Sequence, residues 1–129
     1  MPKVLVDAEF AEVLAEWFSL LEQEGISIVP TSGYRTREEQ NRLFKRLGRL
    51  GLAAAPGRSY HEYGLALDFV TVPRTPELMR RAGELAESVG LRWGGRFRIR
   101  DEVHVDAGNF ISIEEARAEG YPGELVEVE

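Results

Sequence analysis

Ser59-Tyr60-His61-Glu62-Tyr63-Gly64-Leu65-Ala66-Leu67-Asp68 joins a polar turn to an apolar strand. Gly64 permits a sharp change of backbone direction, and Leu65 to Val70 then reads as a buried strand. Alternation sends Leu65, Leu67 and Phe69 to one face and Ala66, Asp68 and Val70 to the other. A carboxylate in such a strand costs several kcal/mol unless it is hydrogen-bonded, ion-paired or metal-bound. His61 stands just upstream, and neutral imidazole and carboxylate oxygen are both good Zn²⁺ ligands.

Towards the C-terminus, Trp93-Gly94-Gly95 predicts a turn, followed by two short strands, Arg96 to Arg100 and Val103 to Ala107, in a hairpin around Asp101-Glu102. His104 and Asp106 fall on one face of the second strand, opposite Val103, Val105 and Ala107. His61 and His104 are the two histidines of the chain. With Asp68 they make the three protein ligands that a catalytic zinc site uses, leaving a fourth position for water.

The rest of the chain supplies a scaffold. Asp7 caps an amphipathic helix that runs to Glu24 and stops at Gly25, with Trp17 and Phe18 in its apolar stripe. Ile26 to Val29 reads as a strand ending at Pro30. Thr36 and Glu39 form a capping box for a second helix that carries Leu43, Phe44, Leu47 and Leu50 to Gly51, and Ala53 to Gly57 reads as a surface loop. Thr75-Pro76-Glu77 opens a third helix ending at Gly90, and Ser112 with Glu115 caps a short fourth. The expected fold class is α+β, a small, mainly antiparallel sheet with packed helices, in a single domain over residues 1–129 with a loose acidic tail from about residue 120. Arg96, Arg98 and Arg100 read as a solvated face blunting a sheet edge, and Glu62 as exposed.

A length of 129 residues suits one core, and 43% hydrophobic with 29% charged residues excludes a disordered or low-complexity chain. The absence of cysteine excludes disulfides, a thiolate nucleophile and Cys-based metal sites. A net charge of −6 argues against nucleic acid as a partner. The charge is uneven: residues 1–24 carry one base against six acids, residues 107–129 the same, and residues 25–106 fourteen bases against ten acids. No apolar run approaches the ~20 residues of a membrane helix, and the N-terminus lacks the pattern of a signal peptide, which predicts cytoplasmic synthesis and no membrane insertion.

Three blocks carry a resemblance. Ser32-Gly33-Tyr34-Arg35-Thr36 followed by Glu39-Gln40, then Ser59-x-His61-x-x-Gly64-x-Ala66-x-Asp68, then Trp93-Gly94-Gly95 leading to Asp101-x-x-His104, resemble the zinc-dependent cell-wall peptidases. That family joins D-alanyl-D-alanine carboxypeptidases and dipeptidases with L-alanyl-D-glutamate endopeptidases of phage endolysins and bacteria. The resemblance implies a hedgehog/D,D-peptidase-like fold in which His61, Asp68 and His104 hold Zn²⁺, Asp101 is the general base, Arg35 binds a substrate carboxylate and Ser59 lines the cleft. The family's base is often Glu where this chain has Asp101, and an aromatic residue common after the second histidine is Val105 here. Strand parity puts Glu102 rather than Asp101 on the face of His104, so Glu102 is the reserve base, and Asp106 is a candidate to support the ligands from behind. Tyr63 and Trp93 each read either as flanking substrate or as core packing.

The function expected from the resemblance is hydrolysis of peptidoglycan stem peptides by a monomer, at the L-alanyl-D-glutamate bond, with action on the wall after release at lysis. The alternatives are a D-alanyl-D-alanine carboxypeptidase or dipeptidase, and a non-catalytic zinc-containing module that binds peptidoglycan.

Overall fold

The computed structural model describes residues 3–128. A first strand, β1 (Leu5–Asp7), leads into helix α1 (Ala8–Gln23), and Asp7 belongs to both, since its carboxylate accepts the Glu9 N–H at 3.0 Å and the Phe10 N–H at 3.3 Å. Then come β2 (Ser27–Ser32), α2 (Arg37–Leu47), β3 (Ala66–Val72), α3 (Pro76–Ser88), β4 (Arg92–Trp93), β5 (His104–Asp106), α4 (Ile113–Ala118) and β6 (Leu125–Glu127). Strands β2-β3-β5-β4 form one sheet in that order, antiparallel throughout, and β1 pairs with β6 in a second, two-stranded sheet. The architecture is therefore the expected α+β, an antiparallel sheet with packed helices.

The strand parity read from the sequence separates core from site. Leu67 and Phe69 are fully buried in a cluster with Phe10, Leu14 and Trp17 of α1 and with Met79 and Ala82 of α3. Trp17 packs edge-on to Phe69 with ring centroids 4.9 Å apart, and its indole N–H donates to the Ala82 carbonyl at 2.9 Å. Both helices thus cover one face of the sheet, which leaves the face of Asp68 free for chemistry.

Several local expectations are corrected. β2 does not end at Pro30: it continues to Ser32, with an irregularity in register between Pro30 and Ser32. Proline is tolerated because β2 is the edge strand, where a missing N–H interrupts no second ladder. The second helix stops at Leu47 and tightens into a 3₁₀ turn, Gly48–Leu50, before Gly51; its apolar residues do not enter the core, and Gln40 is the buried residue of α2. Arg96 to Arg100 is not a strand. The Gly94 carbonyl accepts the N–H groups of both Phe97 and Asp101, folding this segment into a loop, and β5 already has β3 on one side and Arg92–Trp93 on the other. Arg96 instead lies over the Trp93 ring and pairs with Glu87.

The acidic tail is not loose. Leu5, Val6 and Asp7 pair with Glu127, Val126 and Leu125, the Gly123 N–H donates to Asp7 at 2.7 Å, and Val126 and Val128 pack against the core. β1 and β6 stand at opposite ends of the chain, so neither has a local sequence signal for the pairing.

Candidate active site

Three adjacent strands set a polar row across the free face of the sheet. Ser32 of β2 stands opposite Asp68 of β3, and Asp68 opposite His104 of β5. His61 arrives from outside the sheet, on a 3₁₀ turn (Tyr60–Tyr63) that Ser59 caps. The Ser59 hydroxyl accepts the His61 N–H at 3.2 Å, and the Glu62 carboxylate accepts the N–H groups of Ser59 and Gly57 at 3.1 and 2.9 Å. Gly64 ends the turn at φ +69°, where a side chain would also press on the Asp7 backbone nitrogen. Glu62 is therefore not the exposed residue expected: it is 7% exposed, locks the turn that presents His61, and pairs with Arg37 at 2.7 Å.

The two imidazoles converge on one carboxylate. Asp68 Oδ1 lies 3.2 Å from His61 Nε2 and 3.2 Å from His104 Nδ1. Each ring is held by its other nitrogen: His61 Nδ1 is 2.8 Å from the Gly33 carbonyl, and His104 Nε2 is 2.7 Å from Asp106 Oδ2. Those acceptors hold a proton on the outer nitrogen of each ring and leave the inner nitrogen facing Asp68. Asp106 is wholly buried and is itself gripped by Arg92 through two bonds of 2.8 and 2.6 Å, so it supports His104 from behind as expected.

The electrostatics follow from burial and these bonds. Burial pushes His61 below its ordinary pKa despite the bond to Asp68. Burial acts in the same direction on His104, but hydrogen bonds to Asp106 and Asp68 outweigh it and raise this residue to about 9. Asp68 is also buried, which disfavours its charge, yet the bonds from His104 and His61 hold it well below the usual carboxylate range.

The donor set fits a divalent cation such as zinc. One ligand atom each from His61, Asp68 and His104 lies within 4.8 Å of the others. Around a tetrahedral zinc, ligands at about 2.0–2.1 Å stand roughly 3.3 Å apart, close to the two 3.2 Å separations observed.

A cleft of about 500 Å³ opens over this cluster and is also lined by Arg35, Ser59 and Asp101. Arg35 follows β2; its guanidinium donates to Gln40 Oε1 at 3.2 Å, Ser32 Oγ at 3.3 Å and Asp68 Oδ2 at 3.4 Å. Gln40 had no role assigned from sequence. It is 1% exposed, and its amide N–H also ties the Ala54 carbonyl at 2.8 Å, so it joins Arg35 to the loop that forms the cleft wall. A polar residue three positions before Leu43, which lines the same cleft, is the signal that could have found it.

Asp101 and Glu102 separate cleanly. The chain turns through residues 101–103, with the His104 N–H donating to the Asp101 carbonyl at 3.1 Å, and β5 begins only at His104. Strand parity therefore does not reach back to Glu102. Asp101 lines the cleft, and desolvation raises its carboxyl above the ordinary value. Glu102 points elsewhere, 3.5 Å from Arg74. Gly94 makes the arrangement possible, because a side chain there would collide with the Asp101 carbonyl.

Tyr63 and Trp93 turn out to be core residues rather than cleft walls. The Tyr63 hydroxyl donates to the Gly57 carbonyl beneath the turn, and the Trp93 indole N–H donates to the Glu102 carbonyl, with its ring packed against Gly83. Tyr60, not Tyr63, lines the cleft.

The chain is 32% identical over 103 residues to the peptidoglycan L-alanyl-D-glutamate endopeptidase CwlK of Bacillus subtilis, an alignment that takes in 64% of this chain and 62% of CwlK. Among solved structures, a vancomycin-resistance D,D-pentapeptidase VanY from a VanB-type cassette, in complex with Zn(II), superposes with a TM-score of 0.63 at 22% identity, covering 88% of this chain and 76% of that one. The L-Ala D-Glu endopeptidase ChiX of Serratia marcescens superposes with a TM-score of 0.61 at 18% identity over 78% of this chain and 79% of its own. At these identities the two structures speak for the fold alone. The sequence model of VanY, described as D-alanyl-D-alanine carboxypeptidase, matches residues 3–92, which include Arg35, His61 and Asp68, and on that match the chain belongs to the VanY family.

Proposed function

We propose that this chain is a zinc-dependent peptidase of peptidoglycan stem peptides that cuts the L-alanyl-D-glutamate bond. The observation that carries the reading is the convergence of His61, Asp68 and His104 within 4.8 Å in a cleft that also holds Arg35 and Asp101. The choice of bond rests on the 32% identity to CwlK. The description of the matching family favours a second reading, removal of a terminal D-alanine. In both reactions the leaving amine can sit on a carbon that bears a free carboxylate: the chain terminus in one, the α-carboxylate of a glutamate linked onward through its side chain in the other. One arginine fork serves either.

Zinc, when bound, supplies a Lewis acid for the scissile carbonyl and an acidified water. Arg35 holds the carboxylate beside the leaving nitrogen, and its anchors on Ser32 and Gln40 fix where that nitrogen lies. With a metal bound, the Asp101 carboxylate would accept the proton of the attacking water and return it to the leaving amine; burial raises its carboxyl above the ordinary value, the direction that helps it give the proton back. Asp106 and Gly33 keep the two imidazoles aimed.

To hold a metal, His104 would have to give up a proton that its bonds to Asp106 and Asp68 retain up to about pH 9. Below that value the metal and one proton compete, so apparent zinc affinity is expected to rise about tenfold per pH unit between roughly pH 6.5 and 8. Competition against a fluorescent chelator at each pH measures this, and a flat profile would contradict a raised pKa at His104.

The activity is tested by incubating the zinc-loaded protein with purified muropeptides, with and without a chelator, and weighing the products by mass spectrometry. Separation of L-alanine from D-glutamate is the expected result. Loss of a terminal alanine would establish the second reading, and no chelator-sensitive product would refute both.

A further inference from the structure

The cleft does not end at Arg35. A second hollow of about 390 Å³ abuts it, sharing Arg35 and Leu43, and runs between the outer side of α2 and the start of β1. Its charged lining consists of Lys3, Arg35, Arg42 and Arg46 against one carboxylate, Glu39. Glu39 Oε1 accepts the Thr36 N–H at 2.8 Å as part of the capping box, so this charge is committed to the start of α2. Lys3 lies 4.0 Å from Glu127, while Arg42 and Arg46 form no ion pair with any described residue.

Arg42 and Arg46 stand one helical turn apart, where like charges repel. Glu39, one turn before Arg42, is the single carboxylate near the pair, so the hollow keeps an excess of positive charge in a chain whose net charge is −6, beside the residue that holds the substrate carboxylate. A single departing amino acid would be used up at Arg35 and would leave the hollow empty. A departing peptide would continue into it.

We propose that this groove binds the peptide on the leaving-group side, so that the preferred substrate is a stem peptide whose leaving residue carries an onward chain with at least one further free carboxylate. This deepens, and rests on, the endopeptidase reading above. The chemistry needed is planar: an arginine fork takes a carboxylate through two parallel N–H bonds and gains much less from a neutral carboxamide.

The test uses the zinc-loaded protein and two synthetic peptides that share an acyl-L-alanyl-D-glutamate bond. One ends at the glutamate, and the other continues from its side-chain carboxyl into a diamino acid with a free carboxylate. The longer peptide is expected to show a kcat/KM higher by about tenfold, equivalent to ~1.4 kcal/mol, with the preference falling as salt rises. In the double variant Arg42→Gln, Arg46→Gln the ratio of the two values falls to near one. A ratio near one in the wild type, or one that survives the double substitution, overturns the proposal. Binding of the departing peptide alone, followed by fluorescence anisotropy, is read in parallel and is expected to weaken severalfold in the variant. If neither peptide is cut, the endopeptidase reading fails, and this binding measurement alone decides whether the groove recognises anionic peptide.

Discussion

His61→Ala is expected to abolish both stoichiometric zinc binding and stem-peptide cleavage. The substitution removes one of the three side chains whose atoms could hold the metal, and with it the ring whose Nδ1 sits 2.8 Å from the Gly33 carbonyl. The remaining Asp68 and His104 offer two ligands, fewer than the three protein ligands of a catalytic zinc site. Zinc content after dialysis, activity on muropeptides and a circular dichroism spectrum are the three measurements. A folded variant that holds no zinc and makes no product is the expected outcome; one that retains an equivalent of zinc and wild-type turnover would remove His61 from the metal site.

Asp101→Asn is expected to lower kcat by about 10²–10⁴-fold, the usual contribution of a general acid–base group, with zinc content unchanged. Asn keeps the size and loses the proton acceptor. The companion variant Glu102→Gln is expected to stay near wild type, because Glu102 makes an exposed 3.5 Å pair with Arg74, an interaction worth about 0–1 kcal/mol. Steady-state kinetics on the two variants decide the assignment. The reverse pattern, with Glu102→Gln inactive and Asp101→Asn active, would transfer the base to Glu102.

Comparing sequence and structure residue by residue separates two kinds of information. The capping residues Asp7, Thr36, Thr75 and Ser112 mark where α1, α2, α3 and α4 begin, because a cap is a bond between a side chain and an N–H two or three positions away. The parity of β3 separates Leu67 and Phe69 from Asp68 for the same reason: alternation is a property of the strand itself. The expectations that failed concern partners far along the chain or unseen backbone turns. Glu62 has the composition of an exposed residue and is buried because Gly57, Ser59 and Arg37 gather around its carboxylate. Parity favoured Glu102 over Asp101 only as long as the strand was taken to begin before His104, and the turn at residues 101–103 reverses the preference.

The sequence by itself determined which residue types could meet at the site, their order and the helices around them, since these depend on residue chemistry and on contacts within a few positions. Tertiary structure decided that β6 closes on β1, that Arg96 to Arg100 loops back instead of pairing, that Gln40 anchors Arg35, and that the cleft continues past Arg35 into a basic groove. Each of these depends on which segments meet across the fold. Strand pairing, burial and the shape of a cavity are properties of neighbours in space, and the free energy that selects those neighbours is summed over the whole core rather than carried by any one stretch of chain.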